Sequence, residues 1–183
     1  MCRMGETRSH QPVLLFLAAF SRHEEALQWA QQQAARHWGP IALTSDVFPF
    51  DQTDYYTRSM GSGLKKILLA FENLIDPSRL VDIKLQTNAW EAAFREEHGG
   101  PEQRPLNLDP GYLTEAKLVL ATTKDRDHRI YLDRGIFAEV TLHYQRGRGW
   151  FGREWTYADY RTEAYHRFLN QCRIYLRRRI HDS

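Results

Sequence analysis

Cysteine is nearly absent: Cys2 and Cys172 are the only two in 183 residues. A disulfide-stapled scaffold is therefore excluded, and a reducing, cytoplasmic setting fits best. Long apolar runs are missing too. The run Val13 to Phe20 falls far short of the ~20 residues of a membrane helix. It is also at the short end for a signal-peptide core, and no small-x-small cleavage site follows it. A surplus of one charge is lacking: 25 Lys and Arg face 23 Asp and Glu, a formal net charge of +2. That is too small for a protein that grips nucleic acid by bulk charge. No C-x-x-C occurs and no two histidines are spaced i, i+4, so no zinc pattern is present and no metal ligand set is expected. The nucleotide fingerprints G-x-x-x-x-G-K-[ST] and G-x-G-x-x-G are absent, and Gly61-Ser62-Gly63-Leu64-Lys65 has the wrong spacing for the first.

What is present belongs to a folded protein. Hydrophobic residues make up 42% and aromatics 13%, which rules out wholesale disorder. The length suits one domain with a core of its own. Residues 1–11 read as a loose polar leader and 12–183 as a single α+β domain. Val13 to Phe20 reads as a strand buried on both faces. Ser21 and Glu24 then predict a capping box for a helix striped by Leu27, Ala30, Ala34 and Trp38 and stopped by Gly39-Pro40. Ile41 to Phe50 is extended and broken at Pro49, and Asp51 to Gly63 is a polar loop. The run ILLAF within 66–75 fits helix or strand, and strand is the reading adopted. Asp76-Pro77 opens a helix striped by Leu80, Ile83, Thr87, Trp90 and Phe94. Residues 101–113 read as a loop turning at Asp109-Pro110-Gly111, and Lys117 to Thr122 as a strand. His128–Leu132 and Phe137–Tyr144 form a hairpin about Asp133-Arg134-Gly135. Its second arm places Ala138, Val140, Leu142 and Tyr144 in the core and Glu139, Thr141 and His143 on the polar side. Gly147 to Trp155 is a loop, and Thr162 to Arg179 a closing helix rich in arginine. The fold class is α+β, a mixed, mainly antiparallel sheet packed by two or three helices.

The candidate site centres on Thr122 to Arg129, where Thr123, Lys124, Arg126 and Arg129 follow a buried strand. Such donors at a strand end could hold a phosphate, Arg by its fork and Lys as a point charge; the bland alternative is a solvated turn with local ion pairs. Asp51, Asp54, Tyr55 and Tyr56 could offer carboxylates and stacking faces, or merely cap their own loop. Asn107, Asp109 and Tyr112 could face the same cleft, or only shape a turn. Lys84, Thr87 and Asn88 either satisfy one another or line a pocket beneath the sheet. His128, oriented by Glu139, with Asp109 or Asp125, could carry acid/base work, with carboxylates recruiting Mg2+; the alternative is an exposed hairpin face. The expected function is binding of a phosphate-bearing ligand, a nucleotide or RNA, with Thr123, Lys124, Arg126 and Arg129 on the anion, Tyr55, Tyr56 and Tyr112 stacking, and Asn107 among the ligand-binding residues. The alternatives are a small hydrolase or transferase on such a substrate, and a structural interaction module. For RNA, the arginine-rich last helix and the segment Arg146 to Arg153 supply cations and aromatic faces, against a merely solubilising role.

The segments FPFDQTDYY (48–56), IDPSRLVDIKLQTN (75–88), NLDPGYL (107–113), AKLVLATTKDRDHRIYL (116–132), FAEVTLHY (137–144) and WTYADYRT (155–162) together resemble an uncharacterised bacterial family catalogued as a domain of unknown function. The resemblance spans about residues 12–176 and implies a free-standing domain without an established activity. Some relatives carry a label of GTP binding. Thr123-Lys124-Asp125 resembles a guanine-reading motif with its acid one residue early, so these residues do not support a GTPase.

Overall fold

In the computed structural model, which describes residues 9–51 and 56–181, nine strands form one open sheet with helices on both faces. The central path runs β2-β4-β1-β5-β6-β8-β7. Its strands are β1 (Val13–Ser21), β2 (Ile41–Thr44), β4 (Lys65–Ile75), β5 (Asn107–Leu113), β6 (Lys117–Thr122), β7 (Ile130–Asp133) and β8 (Ile136–Gln145). Two short strands join from the side, β3 (Phe48–Pro49) on β4 and β9 (Gly149–Gly152) on β8. Every pairing is antiparallel. The helices are α1 (Glu24–Trp38), the single turn α2 (Thr57–Met60), α3 (Leu80–His98) and α4 (Glu163–His181). Residues 1–8, most of the expected leader, lie outside the described residues.

The buried apolar runs choose the layers. Every residue of β1 is buried, as its unbroken hydrophobicity requires of a central strand. Its residues 13, 15, 17 and 19 pack with odd positions of β4 against the predicted stripes of α1 and α3. Residues 14, 16 and 18 face the other way, with Leu68, Ala70, Leu118 and Leu142, under Phe168, Leu169, Cys172 and Leu176 of α4. The ambiguous 66–75 segment is thus a strand covered on both sides.

Four expectations need correction. Ser21 does not cap α1. It ends β1 fully buried, its hydroxyl donating to the Pro105 carbonyl at 2.6 Å and accepting from the His23 N–H at 3.0 Å. The expected loop at 147–155 contains β9, and Trp150 is buried in the α4-side core. Asp109-Pro110-Gly111 is no turn but the interior of β5, paired with β1 along its whole length. The fourth concerns the hairpin. Its tight turn is as expected, with Arg134 and Gly135 at φ 48° and 75°. The alternation is not: Glu139 and Thr141 are buried while Val140 is 37% exposed. A register shift between Leu118 and Val119 displaces β8, and the polar side chains there find partners inside. All of β7 is exposed.

Candidate functional site

β5 and β6 pair at only three positions, Gly111↔Leu120, Tyr112↔Val119 and Leu113↔Leu118. Beyond them the strands part: β5 goes on with β1 to Asn107↔Phe20, and β6 goes on with β8 to Thr122↔Phe137. Two residues mark the fork. A Cβ on Gly111 would lie 2.2 Å from the Val119 carbonyl oxygen and 2.7 Å from Leu120 Cδ2, so glycine lets the paired part close. Pro110, just beyond, has no N–H to offer a neighbour. The result is a notch in the middle of the sheet, bounded by residues 107–110 and 121–124.

A cavity of about 120 Å³ fills this notch, many times the ~10–15 Å³ that admits one water. Strand alternation supplies much of its wall. Phe20, Lys66, Asn107, Asp109 and Glu139 project on the α4 side, where register sets Phe20 beside Lys66 and Asn107, and Leu120 beside Glu139. From the opposite layer come Lys84 and Asn88 of α3. The 3-10 turn Ala158–Arg161 adds Asp159 and Tyr160, and the β6–β7 loop adds Thr123, Lys124 and Arg129. Phe50 and Tyr56 close the apolar end, with Phe20 4.8 and 5.0 Å from them between ring centroids.

Charge is concentrated here and mostly buried. The Lys66 ammonium lies 2.7 Å from Asp159, both side chains nearly inaccessible, and within 4.5–5.8 Å of the ring centroids of Tyr160, Phe50, Phe20 and Tyr165. Aromatic faces favour a cation, and the carboxylate neutralises it. Lys84 reaches into the notch, donating to the Leu108 carbonyl at 2.8 Å with Asp109 3.7 Å away. Thr87, the other buried polar group of that stripe, is satisfied by the Lys84 carbonyl at 2.9 Å. Glu91 accepts from the Leu108 N–H at 2.7 Å and from Arg104 at 3.0 Å. Burial nevertheless holds Glu91 above the ordinary carboxylate range, with Lys84 and Arg104 only partly opposing it. Glu139 is shared by Arg129 Nε at 2.9 Å, His128 at 3.2 Å and the Thr141 hydroxyl at 3.2 Å. Burial, reinforced by Asp159, Asp109 and Glu139, holds the Tyr160 phenol well above its usual range, so it is a neutral donor. Among the described residues, five cations, Lys66, Lys84, Arg104, Lys124 and Arg129, line the cavity against three carboxylates, Asp109, Glu139 and Asp159, with Glu91 behind the wall on Arg104.

Of the residues expected at the site, Tyr56, Asn107, Asp109, Thr123, Lys124 and Arg129 line this one cavity. Others do not. Tyr112 turns to the α1/α3 side among the core residues there. Asp125 and Arg126 are exposed on the loop and outside the lining. His128 stands behind Glu139, its two ring nitrogens 3.0 and 3.2 Å from Asp127 and Glu139 and its ring stacked 4.9 Å from Trp155. That arrangement braces Glu139 and turns neither nitrogen to the cavity. Tyr55 and Asp54 lie outside the described residues. Among the described residues no group of three or more His, Cys, Asp or Glu is placed to hold a metal ion. Lys66, Arg104, Asp159 and Tyr160 escaped the sequence reading. A lysine inside a run that is otherwise buried on both faces was the available signal for Lys66.

The fold and site define a nine-stranded α+β domain with a polar, cation-rich cavity at a fork in its sheet. The chain belongs to the family described as a domain of unknown function, DUF4416, whose model matches residues 11–175. No curated protein and no solved structure matches it. No helix among the described residues is long and apolar enough to cross a membrane.

Proposed function

We propose that the notch between β5 and β6 binds a small phosphate-bearing ligand. The observation that carries this reading is the excess of cations over carboxylates among the described residues lining one cavity. Arg129 is held by Glu139 on β8, Lys66 by Asp159 on the turn before α4, and Lys84 by the Leu108 carbonyl with Asp109 nearby, so they are positioned without further ordering. Thr123 and Lys124 stand at the rim on the β6–β7 loop, where a phosphate would enter. The small volume of the cavity, about 120 Å³, favours a small molecule over a polymer. On the arginine-rich α4, moreover, Arg173, Arg177 and His181 gather on one carboxylate, Glu115.

Calorimetric titration with inorganic phosphate, simple phosphate esters, nucleoside monophosphates and short RNA tests the reading. Phosphate esters should bind, more weakly at higher salt, and Arg129→Gln should weaken them at least about tenfold, the worth of one charge-assisted hydrogen bond. Binding of RNA alone, with no small phosphate binding, would overturn it.

A further inference from the structure

Two polar atoms on the cavity wall are unmatched in a way that constrains the ligand's other end. Asn107 and Tyr160 are 3% and 2% exposed and both line the cavity. Neither Asn107 Nδ2 nor the Tyr160 hydroxyl has a hydrogen-bond partner among the described residues. The identity of the Asn107 atom is not arbitrary. Arg104 donates to its oxygen, and a guanidinium cannot accept, so the NH2 group is the end left over. Beside Tyr160, Asp159 uses Oδ2 for Lys66, while its Oδ1 makes no well-formed hydrogen bond and has the Tyr165 phenol as a neighbour. Buried polar groups normally have partners, and these two unmatched atoms share one cavity wall with Asp159 Oδ1 beside them.

The chemistry of these groups selects a complement. Asn107 Nδ2 can only donate, so it needs an acceptor. The Asp159 carboxylate can only accept, so it needs a donor. Tyr160 can do either. A carbonyl, ether or second phosphate would serve Asn107 and repel or ignore Asp159. An ammonium would serve Asp159 and clash with Lys66. A hydroxyl, small and uncharged, donates and accepts at once, and more than one is required to reach both sides. The cations Arg129 and Lys124 come from the β6–β7 loop, whereas Asn107 comes from β5 and Tyr160 from the turn before α4.

We infer that the ligand is a phosphate monoester carrying neighbouring hydroxyl groups, with Asn107, Asp159 and Tyr160 reading the hydroxyls. The inference rests on the phosphate-binding reading above. It names a chemistry shared by sugar phosphates, phosphorylated polyols and the ribose of nucleoside monophosphates.

Calorimetry on the full chain compares ribose 5-phosphate, ethyl phosphate and adenosine 5′-monophosphate. Ethyl phosphate has the same phosphate and no hydroxyl. Ribose 5-phosphate should bind at least about tenfold more tightly than ethyl phosphate, since each good hydrogen bond to a desolvated partner is worth roughly that factor. Tyr160→Phe removes only the unmatched hydroxyl and should leave the melting temperature unchanged or higher. It should weaken ribose 5-phosphate about three- to tenfold and leave ethyl phosphate as it was. Comparable binding of adenosine monophosphate would assign the hydroxyls to a nucleotide's ribose, and its exclusion would assign them to a sugar or polyol phosphate; both support the inference. Equal affinity for ribose 5-phosphate and ethyl phosphate, unmoved by Tyr160→Phe, would overturn it while leaving phosphate binding intact. Failure of all three esters to bind would overturn both.

Discussion

Lys66 and Asp159, 93 residues apart in the chain, meet as a buried ion pair of 2.7 Å that joins β4 to the turn before α4. Such a pair is costly to break from one side, because the survivor stays charged and desolvated. Lys66→Met should therefore cost about 3–5 kcal/mol in chemical denaturation, and Asp159→Asn a similar amount. The double variant should cost clearly less than the sum, and the cycle reads the coupling directly. Additive losses would mean that the two side chains do not depend on one another.

Gly111 is the residue on which the fork depends. Gly111→Ala would drive a methyl group into the Val119 carbonyl. The expected loss is at least about 2–3 kcal/mol, typical of overpacking in a closed core, read as a fall in melting temperature. Gly135→Ala is a useful contrast: Gly135, unlike Gly111, has a positive φ, 75°, but a Cβ there meets nothing within 4 Å, so backbone strain alone should cost it less.

Lys124→Ala tests the rim. The residue is exposed, and its removal should change stability by no more than about 0.5 kcal/mol. Phosphate-ester affinity should fall, and its dependence on salt should flatten. A large loss of stability would place Lys124 among the structural ion pairs.

Glu91 gives a pH signature. Burial raises its folded-state pKa above the ordinary value of 4.5. In the window above that value the folded state holds more protons than the unfolded one. Its contribution to stability is therefore complete at low pH and declines as pH rises through the raised pKa. Glu91→Gln should remove this decline, so the stability of the natural chain relative to the variant should fall from about pH 4.5 upward. A rise in the same window would contradict the assignment.

The helices were largely legible in the sequence because their apolar stripes are each interpreted by one neighbour, the sheet. Leu27, Ala30, Ala34 and Trp38 and Leu80, Ile83, Thr87, Trp90 and Phe94 are all buried. The continuous run of β1 was legible for the same reason. β5 was not, because NLDPGYL carries the residues of a turn and becomes a strand only through long-range pairing with β1. Proline and glycine there serve the fork, a tertiary feature that no local pattern encodes. Glu139 misled in the opposite sense. Alternation assigns it to solvent, and only Arg129, His128 and Thr141, gathered around it by the fold, make its burial tolerable. The β6–β7 loop stood out by its density of charge, whereas Lys66 and Asp159 are single charges among apolar neighbours, and nothing in the linear order says that they meet.

The three-pair seam between β5 and β6 also divides the sheet mechanically. On one side stands the plate β2-β4-β1-β5, on the other β6-β8-β7. Opening a short ladder from its free end breaks few bonds at a time, so amide hydrogen exchange across the seam should begin at Leu120 and reach Leu118 last. A molecule gripping both banks would act as a rivet across the seam. Its binding should then register as slowed exchange on both plates at once, including backbone that it never touches.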